Sequence, residues 1–451
     1  MQSVQHLSRD FELKDVPLRK SRYLLIENIP AQMTIRKLYL FLLIWLPFTD
    51  FNYAQVPGFF MKEEAKKVRI PFYSSNSLII LPVSINGKES INFLVDTGVR
   101  SNILFSKTLG DLLGLEYTRR LSIAGADGST VIMAQVSPIN SLDILGLIEG
   151  RLQSLLVLEE DFLELESVIG VSVYGIIGYE FFKFNPVKIN YDDGFIDFYR
   201  ENSMKWRPPF YRKFDISIEE SKAYLAAKIN QKNGPKLEAK LLIDTGANHG
   251  LLLNQETSDQ IKMPPLFIES QLGQSLGGVL YGFIGRVNSL KIGNMTMKEV
   301  LTSYPEKNTF SEIIVATGRQ GSLGSEVLGR TRLILDYPRN RALIRKGENF
   351  FAPFEFDMSG MVVRKIPNDE NRFYISEVRE GSPAYKTGIL PFDEILTINK
   401  IPIFLYELSE VFKLLRSEEG KEIQLEMRRY INNDLTNFND YKVSIFLKKQ
   451  I

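Results

Sequence analysis

Apolar runs bounded by turn residues begin to recur at Leu78. Leu78–Ile85 and Ile91–Val95 read as two strands joined by Asn86-Gly87, a pair that supplies the positive φ of a tight hairpin turn. The plan returns at Tyr224–Ile229, Asn233-Gly234 and Leu237–Ile243. Each second strand runs into Asp-Thr-Gly, first at Asp96-Thr97-Gly98 and then at Asp244-Thr245-Gly246. Later landmarks keep step. Gly125 matches Gly273, Ile177-Gly178 matches Leu323-Gly324, and Asp192 matches Asp336. The offset is 148 residues for the first aspartates and for Gly125 with Gly273, 146 for Gly178 with Gly324, and 144 for Asp192 with Asp336. A nearly constant offset of this kind predicts two homologous halves, mainly β with short helices. The link between them, residues 200–209, is short and holds Pro208-Pro209, so the halves should be neighbours.

Two other stretches frame the repeat. Leu38 to Phe48 reads LYLFLLIWLPF, with Arg36 and Lys37 before it and Met33 just upstream. The run is short for a membrane span and has the order of a signal peptide: basic flank, apolar core, polar exit. Cleavage is expected after Ala54, although Asn52 fits that site poorly. Residues 1–32 are expected to be an extension upstream of a start at Met33. Retention as an uncleaved anchor and a buried apolar helix are the alternatives. The repeat ends after Arg345-Lys346-Gly347. The expected division is therefore 1–32 extension, 33–54 signal peptide, 55–75 linker, 76–201 first lobe, 202–348 second lobe and 349–451 a separate C-terminal domain. The expected location is outside the cytoplasm, periplasmic or extracellular.

Composition narrows the chemistry. The 451 residues are 44% apolar, enough for a large core. Lys plus Arg number 55 and Asp plus Glu 54, a balance that offers no electrostatic footprint for nucleic acid. With no cysteine, disulfides, thiolate metal sites and thiol nucleophiles are excluded. His6 and His249 are the only histidines, so a histidine-rich metal site is excluded too. No G-x-G-x-x-G and no phosphate-binding G-x-x-x-x-G-K-[ST] occurs, and no cofactor or metal is expected. Carboxylates remain. Gly273-Gln274-Ser275-Leu276-Gly277 does match the G-x-S-x-G elbow, but that elbow needs a later histidine and none follows His249.

A single Asp-Thr-Gly arises by chance in about one chain in ten of this length. Two copies, each after a strand and at matching repeat positions, are specific. On these residues the chain resembles the aspartic proteases of the pepsin and retropepsin type, over about residues 76–346. VSINGKESINFLVDTG and KLLIDTGANHGLLL are most similar to small retropepsin-like domains of bacterial proteins. The resemblance implies two acid-protease lobes forming a pseudo-dimer, with Asp96 and Asp244 as the catalytic pair of an endopeptidase. Two carboxyls about 3 Å apart share one proton, so one member can act as base toward water while the other acts as acid. Thr97 and Thr245 would lock the two turns together, with Gly98 and Gly246 allowing close backbone approach. Gly178 and Gly324 would lie on bracing strands. Gly125, Gly128, Gly273 and Gly277 would belong to hairpin flaps. Val99 and Arg100 depart from the small residues usual after the first Asp-Thr-Gly, and Tyr281 is the loose counterpart of a flap tyrosine.

From about residue 353 the chain resembles a PDZ domain. The matching residues are Ser359-Gly360-Met361-Val362, FYISEVREGSPAYKTGILPFDEILTINKIPI, a helix over Leu405–Arg416, and strands near Ile423–Met427 and Tyr441–Leu447. Phe392 and Lys400 stand where glycine is common, and the Asn/Asp-rich Tyr430–Asp440 reads as a long hairpin loop. The resemblance implies a peptide held as an added strand, its terminal carboxylate captured by backbone N–H groups of a loop containing Gly360, Met361 and Val362. Leu408, Val411, Phe412 and Leu415 would line the groove helix, most of them as core. The expected partners are a peptide or protein substrate and a C-terminal peptide ligand, with no nucleic acid, and with a membrane only through an uncleaved leader. Both aspartates come from one chain, so a monomer is expected, with dimerisation of lobes the weaker alternative. A competing reading is a peptide-binding adaptor whose lobes have lost activity.

Overall fold

The computed structural model describes residues 56–124, 131–160, 164–275, 278–307, 311–367, 369, 371–432 and 434–451. The expected extension 1–32 and signal peptide 33–54 lie outside these residues, as do the flap glycines Gly125, Gly128 and Gly277.

The strands of the first lobe neighbour one another in the order Tyr73–Ser75, Leu78–Ile85, Ser90–Val95, Gly175–Ile177, Asn102–Leu104, Ile148–Leu158, Val131–Ile144 and Arg119–Ala124. In the second lobe the order is Ser217–Glu219, Lys222–Asn230, Lys236–Ile243, Gly321–Leu323, Leu251–Leu253, Met295–Pro305, Gly278–Ile292 and Phe267–Ser275. The two orders correspond strand for strand. In both, the long strand of the outer hairpin also pairs back onto the second strand, at Ser84 with Asp143 and at Ile229 with Leu290.

A third sheet joins the lobes. Its order is Lys67–Pro71, Phe195–Tyr199, Val187–Asn190, Thr331–Asp336, Arg341–Lys346 and Arg212–Asp215. Val187–Asn190 and Thr331–Asp336 meet antiparallel at its centre. Each lobe thus contributes half of the sheet, and a local twofold relation runs through its middle. One hydrophobic core extends across both lobes, from Phe59 to Phe354.

Two expectations are corrected here. Residues 55–75 are not a linker. They hold the strands Gly58–Met61, Lys67–Pro71 and Tyr73–Ser75, which pair with the first-lobe sheet or the joining sheet. In Lys67–Pro71, Val68 and Ile70 are buried while Lys67 and Arg69 are exposed. The alternation is present but spans only five residues, and the partner that pairs its charged face, the buried Asp197, is distant in sequence; Arg69 Nε donates to it at 2.7 Å. Tyr430–Asp440 does form a hairpin, but its strands run through most of the stretch expected to be loop. Glu422–Ile431 and Asp434–Phe446 continue as a long, largely exposed hairpin, held by cross-strand pairs such as Arg428 with Asp440 at 2.8 Å.

The C-terminal sheet runs Met361–Lys365, Phe373–Val378, Glu394–Ile398, Glu422–Ile431, Asp434–Phe446. Its core is separate and begins at Met358. The helix Leu408–Leu415 buries Leu408, Val411 and Leu415 in it, while Phe412 is only partly buried. Phe392 and Lys400 have φ of 71° and 68°, the left-handed region in which glycine costs least. Their departure from the PDZ pattern is therefore a backbone conformation kept with a costlier residue. Among the described residues no helix is long and apolar enough to cross a membrane, and no cluster of acidic and histidine side chains could hold a metal.

Candidate active site

Each Asp-Thr-Gly turn starts where a central strand ends. Ser90–Val95 lies parallel to Gly175–Ile177, and the Asp96 N–H donates to the Ile177 carbonyl at 2.9 Å. In the second lobe Lys236–Ile243 lies parallel to Gly321–Leu323, and the Asp244 N–H donates to the Leu323 carbonyl at 2.9 Å. The bracing chain then passes so close to the turn that only glycine fits. A Cβ on Gly178 would stand 2.6 Å from the Val99 carbonyl oxygen, and one on Gly324 2.1 Å from that of His249.

The threonines cross between lobes. Thr97 Oγ1 donates to the Ile243 carbonyl at 2.6 Å and accepts from the Thr245 N–H at 3.0 Å. Thr245 Oγ1 donates to the Val95 carbonyl at 2.9 Å and accepts from the Thr97 N–H at 3.1 Å. Both side chains are buried, so water cannot replace these bonds.

The network brings the two aspartates together. A Cβ on Gly98 would stand 3.0 Å from Asp244 Oδ1 and 3.1 Å from Asp96 Oδ1, so the two carboxyls converge on one point. Asp96 Oδ1 accepts from the Gly98 N–H at 2.6 Å, and Asp244 Oδ1 accepts from the Gly246 N–H at 3.2 Å. A Cβ on Gly246 would fall 2.1 Å from Asp96 Cγ, which is why the turn needs glycine there. Burial, and then the charge of Asp244, push the Asp96 carboxyl well above the usual carboxylate range; the Gly98 N–H and Lys222 oppose the shift. Folding therefore favours the protonated form of Asp96.

The aspartates face a cavity of about 720 Å³. Val99 lines it, and its carbonyl accepts from the Tyr179 N–H at 3.1 Å, so the departure at this position is absorbed by the wall. His249 also lines it, with Nε2 2.9 Å from Ser322 Oγ, and burial lowers its pKa. Of the flap residues, Gly273 lies in the hairpin Phe267–Ser275 with Gly278–Ile292, opposite Leu280. Tyr281 is in the same hairpin and exposed. Sequence reasoning did not single out Lys222 and Arg319, two cations in the cavity wall. Aligning the halves position by position would have revealed them, because the first half has Leu78 and Val173 at those places. It also missed Tyr191 and Tyr337. Their buried hydroxyls have no hydrogen-bond partner among the described residues. Burial, and then the nearby charge of Asp244 or Asp96 respectively, raises both phenols.

The C-terminal domain closes one side of this cavity through Phe356, Asp357, Met361, Val362 and Phe412. Arg364 donates to Gln271 of the flap hairpin at 2.9 Å, and Lys365 pairs with Glu166 of the first lobe at 2.8 Å. Two of the N–H groups expected to capture a ligand carboxylate already have acceptors: Gly360 donates to the carboxylate of Asp357 at 2.7 Å, and Met361 donates to Ser359 Oγ at 3.1 Å. The neighbouring Ser359 N–H also donates to the Asp357 carboxylate, at 3.1 Å. Asp357, two residues upstream of the loop, occupies it like a built-in ligand.

The family described as aspartyl protease matches residues 81–181 and again 225–327. The PDZ domain family matches residues 374–429, a span that starts after the occupied loop. Among solved structures, an aspartic proteinase from Irpex lacteus aligns over 63% of this chain and 99% of its own, with 11% identity and a TM-score of 0.41. No curated protein matches. The chain carries the aspartyl protease domain twice, one copy in each lobe, and a PDZ domain at its C-terminal end.

Proposed function

We propose that this chain is an aspartic endopeptidase in which Asp96 and Asp244 form the catalytic pair. The observation that carries the reading is the convergence of the two carboxyls at an open cavity rather than under packed side chains. In the reaction the ionised member takes a proton from water as the water oxygen attacks the substrate carbonyl carbon. The protonated member gives its proton to the carbonyl oxygen. The tetrahedral species then collapses, the C–N bond breaks, and the amine leaves with a proton returned by the pair. The glycine N–H bonds and the threonine network hold the carboxyls in place without reorganisation. Since both aspartates belong to one chain, a monomer suffices.

The PDZ domain acts in this proposal as a wall of the substrate cleft. Export through residues 33–54 belongs to the same proposal, and a reporter fused after residue 54 tests it by its location. The catalytic test replaces Asp96 or Asp244 by asparagine and follows cleavage of an unfolded protein from about pH 3 to 8, the range spanned by ordinary and raised carboxyl pKa values. Wild-type cleavage that either substitution abolishes is expected. A wild type that cuts nothing, or variants that cut equally well, would overturn the assignment.

A further inference from the structure

The two lobes repeat one topology, so departures from their twofold relation mark where the cleft is directional. Strand register fixes the equivalences. Ile80 lies opposite Leu94 and Tyr224 opposite Leu242, each leucine two residues before its aspartate. Two positions earlier, Leu78 corresponds to Lys222. Ile176 lies opposite Leu94 and Ser322 opposite Leu242, so Ile176 corresponds to Ser322 and Val173 to Arg319. At three equivalent places the first lobe is apolar and the second is cationic or polar. Leu78, Val173 and Ile176 belong to a buried apolar cluster of the first lobe.

The two cations face the cavity, and among the described residues neither forms a salt bridge. Lys222 follows a two-residue turn, Glu220-Ser221, with φ of 48° and 69°, which sets it at the base of its strand. Its ammonium makes no hydrogen bond or ion pair among the described residues, although Glu220, then Asp244 and Asp96, lie within its field. Arg319 precedes the bracing strand Gly321–Leu323, and its buried Nε–H has no partner among the described residues. Arg319 is close enough to Lys222 to disfavour its charge. Two partly desolvated, mutually repelling cations with a free donor make a receptor for an anion.

We infer that Lys222 and Arg319 form a subsite for an acidic side chain of the substrate, beside an apolar subsite at Leu78 and Ile176 on the opposite side of the dyad. The substrate class is then an extended peptide with Asp or Glu on one side of the scissile bond and an apolar residue on the other. This inference rests on the endopeptidase reading for cleavage but not for binding. The difference in subsites also fixes which way the peptide runs through a nearly twofold cleft.

The test uses the full chain carrying Asp96→Asn and short fluorescent peptides that are identical except for Glu, Gln or Lys scanned along an apolar background. Fluorescence anisotropy should show the Glu peptide binding about tenfold or more tighter than its Gln isostere at one position, as expected for charge-assisted hydrogen bonds. Lys222→Met and Arg319→Met should each remove most of that preference, and Lys222→Glu should favour the Lys peptide. In the wild type, kcat/KM should follow the same order. Equal binding of Glu and Gln peptides at every position would overturn the inference, as would a preference untouched by both methionine variants. The wild-type comparison of Glu with Gln decides the matter even if a variant fails to fold. If the acidic peptide binds preferentially but the wild type cleaves nothing, the subsite stands and the endopeptidase reading falls. Cleavage without discrimination does the reverse.

Discussion

Replacing Thr245 by valine tests the claim that the threonine network holds the lobes in register. Valine keeps the shape and removes the hydroxyl. Two backbone groups lose their bonds: the Thr97 N–H, which now donates at 3.1 Å, and the Val95 carbonyl, which now accepts at 2.9 Å. Thr245 and Thr97 are buried, so neither group gains water in exchange. A buried group left unsatisfied costs about 1–3 kcal/mol. The expected loss is therefore about 2–6 kcal/mol, reduced by about 1 kcal/mol from the added methyl. Thr97→Val should cost a similar amount, because its hydroxyl mirrors the arrangement with the Ile243 carbonyl and the Thr245 N–H. Thr245→Ser keeps the oxygen and should lose only about 1 kcal/mol for the missing methyl. Urea unfolding followed by far-UV circular dichroism reads these differences as shifts of midpoint at constant slope. A valine variant within about 0.5 kcal/mol of wild type, well below one orphaned group, would refute the reasoning. So would a serine variant as unstable as the valine one.

Three further outcomes follow from the site. The folded protein raises the Asp96 pKa, so it holds that proton longer than the unfolded chain does; stability from this group is present below the unfolded value of about 3.9 and is lost as pH rises through the folded value. Asp96→Asn removes that loss, and the variant should be more stable than wild type at pH 7, by about 1.4 kcal/mol for every tenfold by which folding weakens the acid, with the gap closing as pH falls toward 4; a gap independent of pH in urea midpoints would contradict the cause assigned. Gly246→Ala places a Cβ 2.1 Å from Asp96 Cγ and should lower kcat/KM at least about 100-fold by displacing the carboxyl, with the circular dichroism spectrum retained. Asp357→Ala removes the acceptor from the Ser359 and Gly360 N–H groups and should tighten binding of peptides with a free C-terminus by about tenfold while leaving C-terminally amidated peptides unchanged, as titration calorimetry would show.

The sequence determined what depends on local chemistry and on repetition. Two strand-turn-strand units ending in Asp-Thr-Gly announced the lobes and both aspartates, because alternation, Asn-Gly turns and glycine positions are set within a few residues. The same reasoning found the C-terminal domain and misread residues 55–75, whose strands are completed by partners such as Asp197, more than a hundred residues away. Tertiary structure alone decided the rest. Whether two carboxyls 148 residues apart share a proton depends on the threonine bonds between lobes and on how deeply the pair is buried. That Asp357 fills the carboxylate loop, and that this loop borders the cleft, depends on domain packing. Lys222 and Arg319 look like ordinary surface cations in the sequence. Their meaning comes from standing, unpaired, where the other lobe has leucine and valine, and only the folded twofold makes that comparison physical.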